Sequence, residues 1–309
     1  MTIYIQKHGS HAGYWIYSGY AHAWIYHGFQ VKFFESFEEV DTKQPYALMI
    51  TDSWLNNEYE DYINAFDYLK KSEFCILYAS PKGFPDPWGT HPNFVCPLND
   101  EFIKKLDDID NLVKWNFSET DNEYFSHWKD IKTIPLAFDN INYECAKDDE
   151  KEYLYDVCFI GSVANNGFNE KIEIIKACLN AFAHSDLNCG FSIGQNISHE
   201  KENEVLIRSK VCLNIHDKYQ RVLGLDANER TFKSLGANGL LVSDSTTQVK
   251  NLFPDVFCSN EPQELVDECS RLVSKDVKEL NKIKKQNRQT IEDQHSYIRR
   301  VEQLLTYAN

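Results

Sequence analysis

Two successive series of short apolar runs, each run closed by a glycine or polar loop and followed by a helix-length segment, restrict this chain to α/β architectures with parallel sheets. The first series opens with Ile3-Tyr4-Ile5, a loop holding Gly9 and Gly13, an aromatic helix through Tyr26, Gly28, and a second strand at Val31-Lys32-Phe33-Phe34. Further strands are expected at Ala47-Leu48-Met49-Ile50-Thr51, Cys75-Ile76-Leu77-Tyr78, Asn93-Phe94-Val95-Cys96 and Ile131-Lys132-Thr133-Ile134, separated by helix-like acidic segments over 55–71 and 99–107. Parallel neighbours can be joined only by a crossover, and these helical segments supply it.

The second series starts at Tyr155-Asp156-Val157-Cys158-Phe159-Ile160-Gly161-Ser162, followed by a helix from Glu170 to Phe182. Strands are expected at Gly190-Phe191-Ser192-Ile193-Gly194, Val211-Cys212-Leu213-Asn214-Ile215-His216, Gly239 to Ser243, and Val256-Phe257-Cys258. Beyond them the pattern is helical, from Pro262 through Val273 and from Lys275 to Leu305. With 309 residues the chain is long enough for two cores. We expect a first domain over 1–139, an exposed linker over 140–152 marked by Asp148-Asp149-Glu150-Lys151-Glu152, and a second domain over 153–309 with a helical tail. Open parallel sheets bind ligands beyond the carboxyl ends of their strands. A cleft between the domains is therefore expected, walled by Gly9, Gly13, Asp52 and Ser80 on one side and by Gly161, Gly194, His216 and Arg230 on the other.

Charge narrows the ligands. The net charge of −15 repels nucleic acid and anionic membranes, so nucleic acid is a disfavoured partner and any anion site must be local. One stretch offers such a site: Asn228-Glu229-Arg230-Thr231-Phe232-Lys233-Ser234-Leu235-Gly236-Ala237-Asn238-Gly239, running into the apolar Leu240-Leu241-Val242. It reads as a short helix with an Asn cap and a glycine stop ahead of a buried strand, and Arg230 adds bidentate donors suited to a diphosphate. No segment approaches ~20 consecutive apolar residues, so no membrane span is expected. Nine cysteines without CxxC spacing, several inside strand-like runs, read as reduced core thiols of a cytoplasmic protein.

The ordered set formed by Phe159-Ile160-Gly161-Ser162, Cys212-Leu213-Asn214-Ile215-His216, Asn228-Glu229-Arg230-Thr231-Phe232, Gly236 to Asp244 and His295-Ser296-Tyr297-Ile298-Arg299-Arg300 resembles the C-terminal domain of GT-B glycosyltransferases. Within them it is similar to the branch of the spore maturation proteins, over roughly 155 to 305. The resemblance implies two Rossmann-like domains facing a cleft, with a nucleotide-diphosphate sugar on the second domain and an acceptor saccharide or other hydroxyl acceptor on the first. It implies neither a metal nor a further cofactor. Carried over position by position, Gly161 and Ser162 approach the donor, Gly194 and Gln195 line the nucleotide side, and His216, Arg230 and Thr231 face the phosphates, with Asn228 and Glu229 opening the helix. Related enzymes have a glutamate after the Phe of this helix; here Lys233 stands there, so ribose is held by another carboxylate such as Glu229, or Lys233 binds phosphate, or the donor is unusual.

An inverting transfer needs a base for the acceptor proton, and His8, His11 and Asp52 of the first domain are the candidates. Gly13 and the aromatic pair Phe84 and Trp88, in the irregular loop from Ser80 to His91, are candidate acceptor contacts. Asp107-Asp108-Ile109-Asp110 offers a DxD pattern but sits in a broadly acidic stretch and reads as a solvated loop. The glycines of 161–167 have neither dinucleotide nor P-loop spacing. Arg299 and Arg300, in the helical tail, are expected to reach the first domain. Two other readings fit the same residues: glycosylation of modified bases in DNA, and nucleotide-sugar binding without catalysis.

Overall fold

The computed structural model describes residues 1–9, 11–57, 62–89, 95–143, 152–163, 170–195 and 197–308. The chain divides into two compact units: Met1–Pro135 together with Tyr297–Asn309, and Leu136–Ser296. The boundary therefore falls at Pro135, ahead of the expected linker, and the last helix belongs to the first unit.

The first unit holds β1 (Thr2–Gln6), β2 (Gln30–Phe34), β3 (Tyr46–Thr51), β4 (Cys75–Tyr78), β5 (Leu112–Asn116) and β6 (Lys132–Thr133). They form one parallel sheet in the order β2-β1-β3-β4-β5-β6. Every residue of β3 is buried, as a central parallel strand covered on both faces must be. Helices α1 (His11–Tyr26), α2 (Asp52–Asn57), α3 (Tyr62–Lys71) and α4 (Asp100–Asp107) make the crossovers. The expected strand at 93–96 is not present in its described part, Val95 and Cys96, and its other residues lie outside the described ones. The strand that fills the sheet is β5, which the sequence hides by placing Lys114 and Asn116 inside it. Both are buried, Lys114 against Asp107 and Asn116 donating from Nδ2 to the Ala79 carbonyl at 2.8 Å.

In the second unit β7 (Tyr155–Gly161), β8 (Cys189–Ile193), β9 (Ser209–Asn214), β10 (Leu241–Ser243) and β11 (Phe257–Cys258) form a parallel sheet in the order β8-β7-β9-β10-β11. Around it lie α5 (Glu170–Ala183), α6 (His199–Ile207), α7 (Lys218–Leu223), α8 (Glu229–Lys233), α9 (Thr247–Leu252), α10 (Pro262–Val273) and α11 (Val277–Gln294). The tail predicted as one helix from Lys275 breaks at His295-Ser296, where the Phe138 N–H donates to the His295 carbonyl at 2.8 Å. After the break α12 (Tyr297–Ala308) packs on α1, burying Tyr297, Val301 and Leu304. Gly19 of α1 is what permits it, since a Cβ there would lie 2.4 Å from the Tyr297 ring. Arg300 donates from Nε to the Pro135 carbonyl at 2.7 Å. An apolar stripe that pairs with α1 assigns the tail to the first unit.

Both sheets reverse their strand order once, between β1 and β3 and between β7 and β9. Such reversals leave a crevice beyond the strand ends, the usual ligand position in open α/β sheets.

Candidate active site

At the reversal of the second unit, β7 ends in Gly161 and β9 ends in Asn214, followed by Ile215 and His216. The side chain of Arg230, from the first turn of α8, lies across these two ends. Its Nε donates to Asn214 Oδ1 at 3.2 Å and its Nη2 to the Ile215 carbonyl at 2.8 Å, while the guanidinium stands 5.5 Å from the centre of the Phe159 ring. A Cβ on Gly161 would come within 2.5 Å of Arg230 Nη1, so only glycine leaves the guanidinium this position. Burial lowers the pKa of Arg230, against the opposing charges of Glu229, Asp217 and Asp244. An arginine stays charged even so.

A second cation lies close by. Lys171, in the first turn of α5, pairs with Asp217 Oδ1 at 3.2 Å, and its pKa is lowered by burial and by the charge of Arg230. Lys171 and Arg230 are thus neighbouring cations in a chain of net charge −15, the local arrangement an anion site would need. Beside them Gly194, in the left-handed conformation at φ 64°, donates its N–H to the Gly161 carbonyl at 2.8 Å, so the two glycines predicted as donor contacts sit together. Ser162 and Gln195 are exposed next to them, Gln195 accepting from Ser192 Oγ at 3.2 Å.

Beneath Arg230 runs a buried polar network. Asp244, directly after β10, accepts from the His216 backbone N–H at 2.8 Å, and its Oδ1 lies 2.5 Å from His216 Nδ1. Arg221 Nε stands 3.6 Å from Asp244 Oδ2. Burial by itself raises the Asp244 pKa, but His216 and Arg221 outweigh it and hold the carboxyl below its ordinary range. Asn214 Nδ2 donates to Thr231 Oγ1 at 2.9 Å.

Several expected roles change. His216 and Thr231 are fully buried and belong to this network rather than facing a ligand. Lys233 is also buried, with Nζ 3.3 Å from Glu202 and 3.4 Å from Glu229, so its charge is spent on two carboxylates. Asn228 does cap α8, its Oδ1 accepting from the Thr231 N–H at 3.2 Å, but α8 is only Glu229–Lys233 before a π-type turn over Ser234–Asn238. A helix this short contributes little dipole, so the expected anion contact rests on the Arg230 side chain. Next to it, Glu229 Oε2 and Asn228 Nδ2 are buried without a hydrogen-bond partner.

In the first unit the reversal is lined differently. Gln6 Oε1 accepts from both the N–H and the hydroxyl of Thr51 at 2.9 Å. Asp52 is fully buried, its Oδ2 accepting from the Ser80 N–H at 2.7 Å and its Oδ1 from Ser80 Oγ at 2.9 Å. Burial raises its pKa to about 6, against the bonds from Ser80 and Cys96. Both oxygens being engaged, Asp52 braces β3 against β4 and is not open to an acceptor. His8 stacks on Tyr17 at 5.7 Å and packs on Gly13, where a Cβ would lie 2.1 Å from its ring; burial lowers its pKa, so the imidazole is the basic form at neutral pH. Gly13 is thus buried under His8 rather than open to an acceptor. His11 begins α1, and its side chain lies outside the described residues. Trp88 is buried, and Phe84 makes an edge contact with Tyr124 at 5.6 Å, so the loop aromatics pack inward.

Lys171, Asn214 and Asp244 were not singled out from sequence. The first lies beyond a glycine-containing loop, and the other two gain meaning only when β9 and β10 are neighbours. Among the described residues no helix is long and apolar enough to cross a membrane, and no group of three His, Cys, Asp or Glu side chains is placed to hold a metal ion.

Comparison with known proteins completes the assignment. Residues 157–306 match the model of a family described as "Glycosyl transferase-like". No curated protein sequence matches the chain. Solved structures share its fold. An α-glucosyltransferase bound to UDP and a 13-mer DNA with a central A:G mismatch superposes with a TM-score of 0.60 at 10% identity, covering 99% of both chains. The DNA-modifying β-glucosyltransferase gives 0.58 at 12% identity over 100% of this chain and 99% of that one. TarM gives 0.56 at 10% identity over 88% of this chain and 56% of its own. Over residues 157–306 the chain is similar to the glycosyl transferase-like family, and its two parallel-sheet Rossmann-like units have the fold of GT-B glycosyltransferases.

Proposed function

We propose that the enzyme moves a sugar from a nucleotide-diphosphate donor to a hydroxyl-bearing acceptor, and that Arg230 and Lys171 do the work that a metal ion does elsewhere. The observation that carries this reading is the guanidinium of Arg230, fixed by Asn214 and the Ile215 carbonyl above the glycine end of β7. In the reaction the bond between the anomeric carbon and the diphosphate oxygen breaks, and the acceptor oxygen bonds to that carbon and gives up its proton. Negative charge grows on the leaving diphosphate, and fixed cations lower the barrier because they need no reorganisation as it develops. Glu229 Oε2 and Asn228 Nδ2, an acceptor and a donor on consecutive residues, both without a hydrogen-bond partner, suit the ribose hydroxyls that the missing glutamate at Lys233 leaves to another group. His8 is the preferred acceptor base, since it is basic, half-buried and near the first reversal. Free thiols at all the described cysteines fit a cytoplasmic setting.

The spore maturation branch remains our assignment within the family, on the ordered motifs of 155–305. Its test is a thermal-shift panel of nucleoside diphosphates and nucleotide sugars. A true donor at 100 times its dissociation constant adds about 2.7 kcal/mol of stability. That shift should vanish in Arg230→Ala, and no shift from any member of the panel overturns the reading. Transfer to DNA is the second reading, supported by two fold relatives whose names tie them to DNA and whose whole length this chain covers. The net charge opposes it. Retention on DNA at low salt, released as salt rises, would favour it.

A further inference from the structure

We propose that Asp244 and His216 are positioning residues for Arg230, acting through Asn214 as a one-way chain of hydrogen bonds that aims the guanidinium. The catalytic consequence rests on the reading of Arg230 as the diphosphate ligand; the chain itself stands on geometry and donor chemistry.

The direction of each link follows from the Arg230 contact. Arg230 Nε is a donor, so the Asn214 atom 3.2 Å away is the amide oxygen. That choice turns the Asn214 nitrogen toward Thr231 Oγ1 at 2.9 Å and His216 Nε2 at 3.3 Å. Nε2 lies nearer this amide nitrogen, which only donates, than the Thr231 hydroxyl at 3.5 Å, so Nε2 is assigned the lone pair and Nδ1 the imidazole proton. Asp244 supplies the reason. Its ionised Oδ1 only accepts and lies 2.5 Å from Nδ1, while its Oδ2 accepts from the His216 N–H at 2.8 Å and so fixes the pair in register. Thr231 keeps the same polarity, its hydroxyl accepting from Asn214 and donating to Asn228 Oδ1 at 3.3 Å.

Asn214, His216, Thr231 and Asp244 are all buried to within 1% of full, so water does not compete for these bonds. Moving the imidazole proton to Nε2 sets a donor against the Asn214 amide nitrogen. The amide then turns over and points its own donors at Arg230 Nε, leaving the guanidinium with the Ile215 carbonyl alone. An asparagine in place of Asp244 invites this reversal, because its amide N–H faces the imidazole and selects the other tautomer.

The test is made on the full-length protein by long-range proton–nitrogen NMR, with His216 assigned by the loss of its signals in His216→Gln. The expected pattern is a protonated Nδ1 and a bare Nε2. In Asp244→Asn the proton should move to Nε2, the Arg230 Nε–H resonance should shift, and affinity for inorganic pyrophosphate should fall about tenfold to a hundredfold. A bare Nδ1 in the wild-type protein, or a doubly protonated ring, overturns the proposal even if Asp244→Asn does not fold. So does a folded Asp244→Asn with unchanged tautomer, Arg230 resonance and pyrophosphate affinity. Should Arg230→Ala bind pyrophosphate as tightly as the wild type while the Nδ1–H tautomer persists, the diphosphate reading falls and the hydrogen-bond chain stands.

Discussion

Next to each sheet reversal an aspartate ties two neighbouring strand ends together through one backbone N–H and one side chain, yet the two aspartates are opposite in acidity. In the first unit Asp52, after β3, takes a backbone N–H and a hydroxyl from Ser80 after β4. In the second, Asp244, after β10, takes a backbone N–H and an imidazole from His216 after β9. Burial pushes both carboxyls up. Hydroxyl, thiol and amide partners offset only part of this for Asp52, which rises to about 6, whereas His216 and Arg221 more than offset it for Asp244. Topology sets where the bracket sits; the groups around the carboxyl decide whether it stays ionised or merely closes a sheet.

The sharpest test of that contrast is at the cation itself. Arg230→Ala should lower donor turnover by about 10²–10³-fold, as removal of a fixed transition-state donor does. A loss as large in Asp52→Asn, measured by the same donor-hydrolysis assay, would break the distinction between a chemical and a structural reversal.

Acidity offers the next test, and the sign differs between units. Folded Asp52 holds its proton from the ordinary 3.8 up to about 6, so its contribution to stability is greatest below that window and declines as pH rises through it. Two units correspond to about 3 kcal/mol. Asp244 behaves oppositely: its stabilisation is present above the unfolded value and is lost as pH falls toward its depressed folded value. In denaturant unfolding, Asp52→Asn should gain on the wild type by up to about 3 kcal/mol between about pH 4 and 7. Asp244→Asn should lose ground to the wild type as pH rises toward the ordinary 3.8 and keep a constant deficit above it, and parallel pH profiles would refute the comparison.

The smallest expected effect is at the strand end. Gly161→Ala places a methyl group 2.5 Å from Arg230 Nη1 and 2.6 Å from the Phe159 ring, so the guanidinium must move. Donor affinity should fall by about fivefold, near 1 kcal/mol, with the fold intact, read by calorimetry and melting.

The parallel sheets, the Asn cap of α8 and the glycine ends of β7 and β8 were legible in sequence because each has a local signature: an apolar run, a cap residue, a turn glycine. β5 was not, because Lys114 and Asn116 find their partners in Asp107 and the Ala79 carbonyl, which only the folded sheet brings near. The site divides the same way. Arg230 could be found from its helix start, but Lys171 and Asp244 owe their roles to strands distant in sequence, and Lys233 was misread because Glu202 lies on another helix.

Because α12 completes the unit that holds β1, that unit is assembled from two segments parted by the whole of Leu136–Ser296. During translation the later-made unit, contiguous from Leu136 to Ser296, has every residue it needs before the earlier one does. Until Tyr297, Val301 and Leu304 leave the ribosome, the face of α1 around Gly19 and Tyr20 has no α12 to cover it.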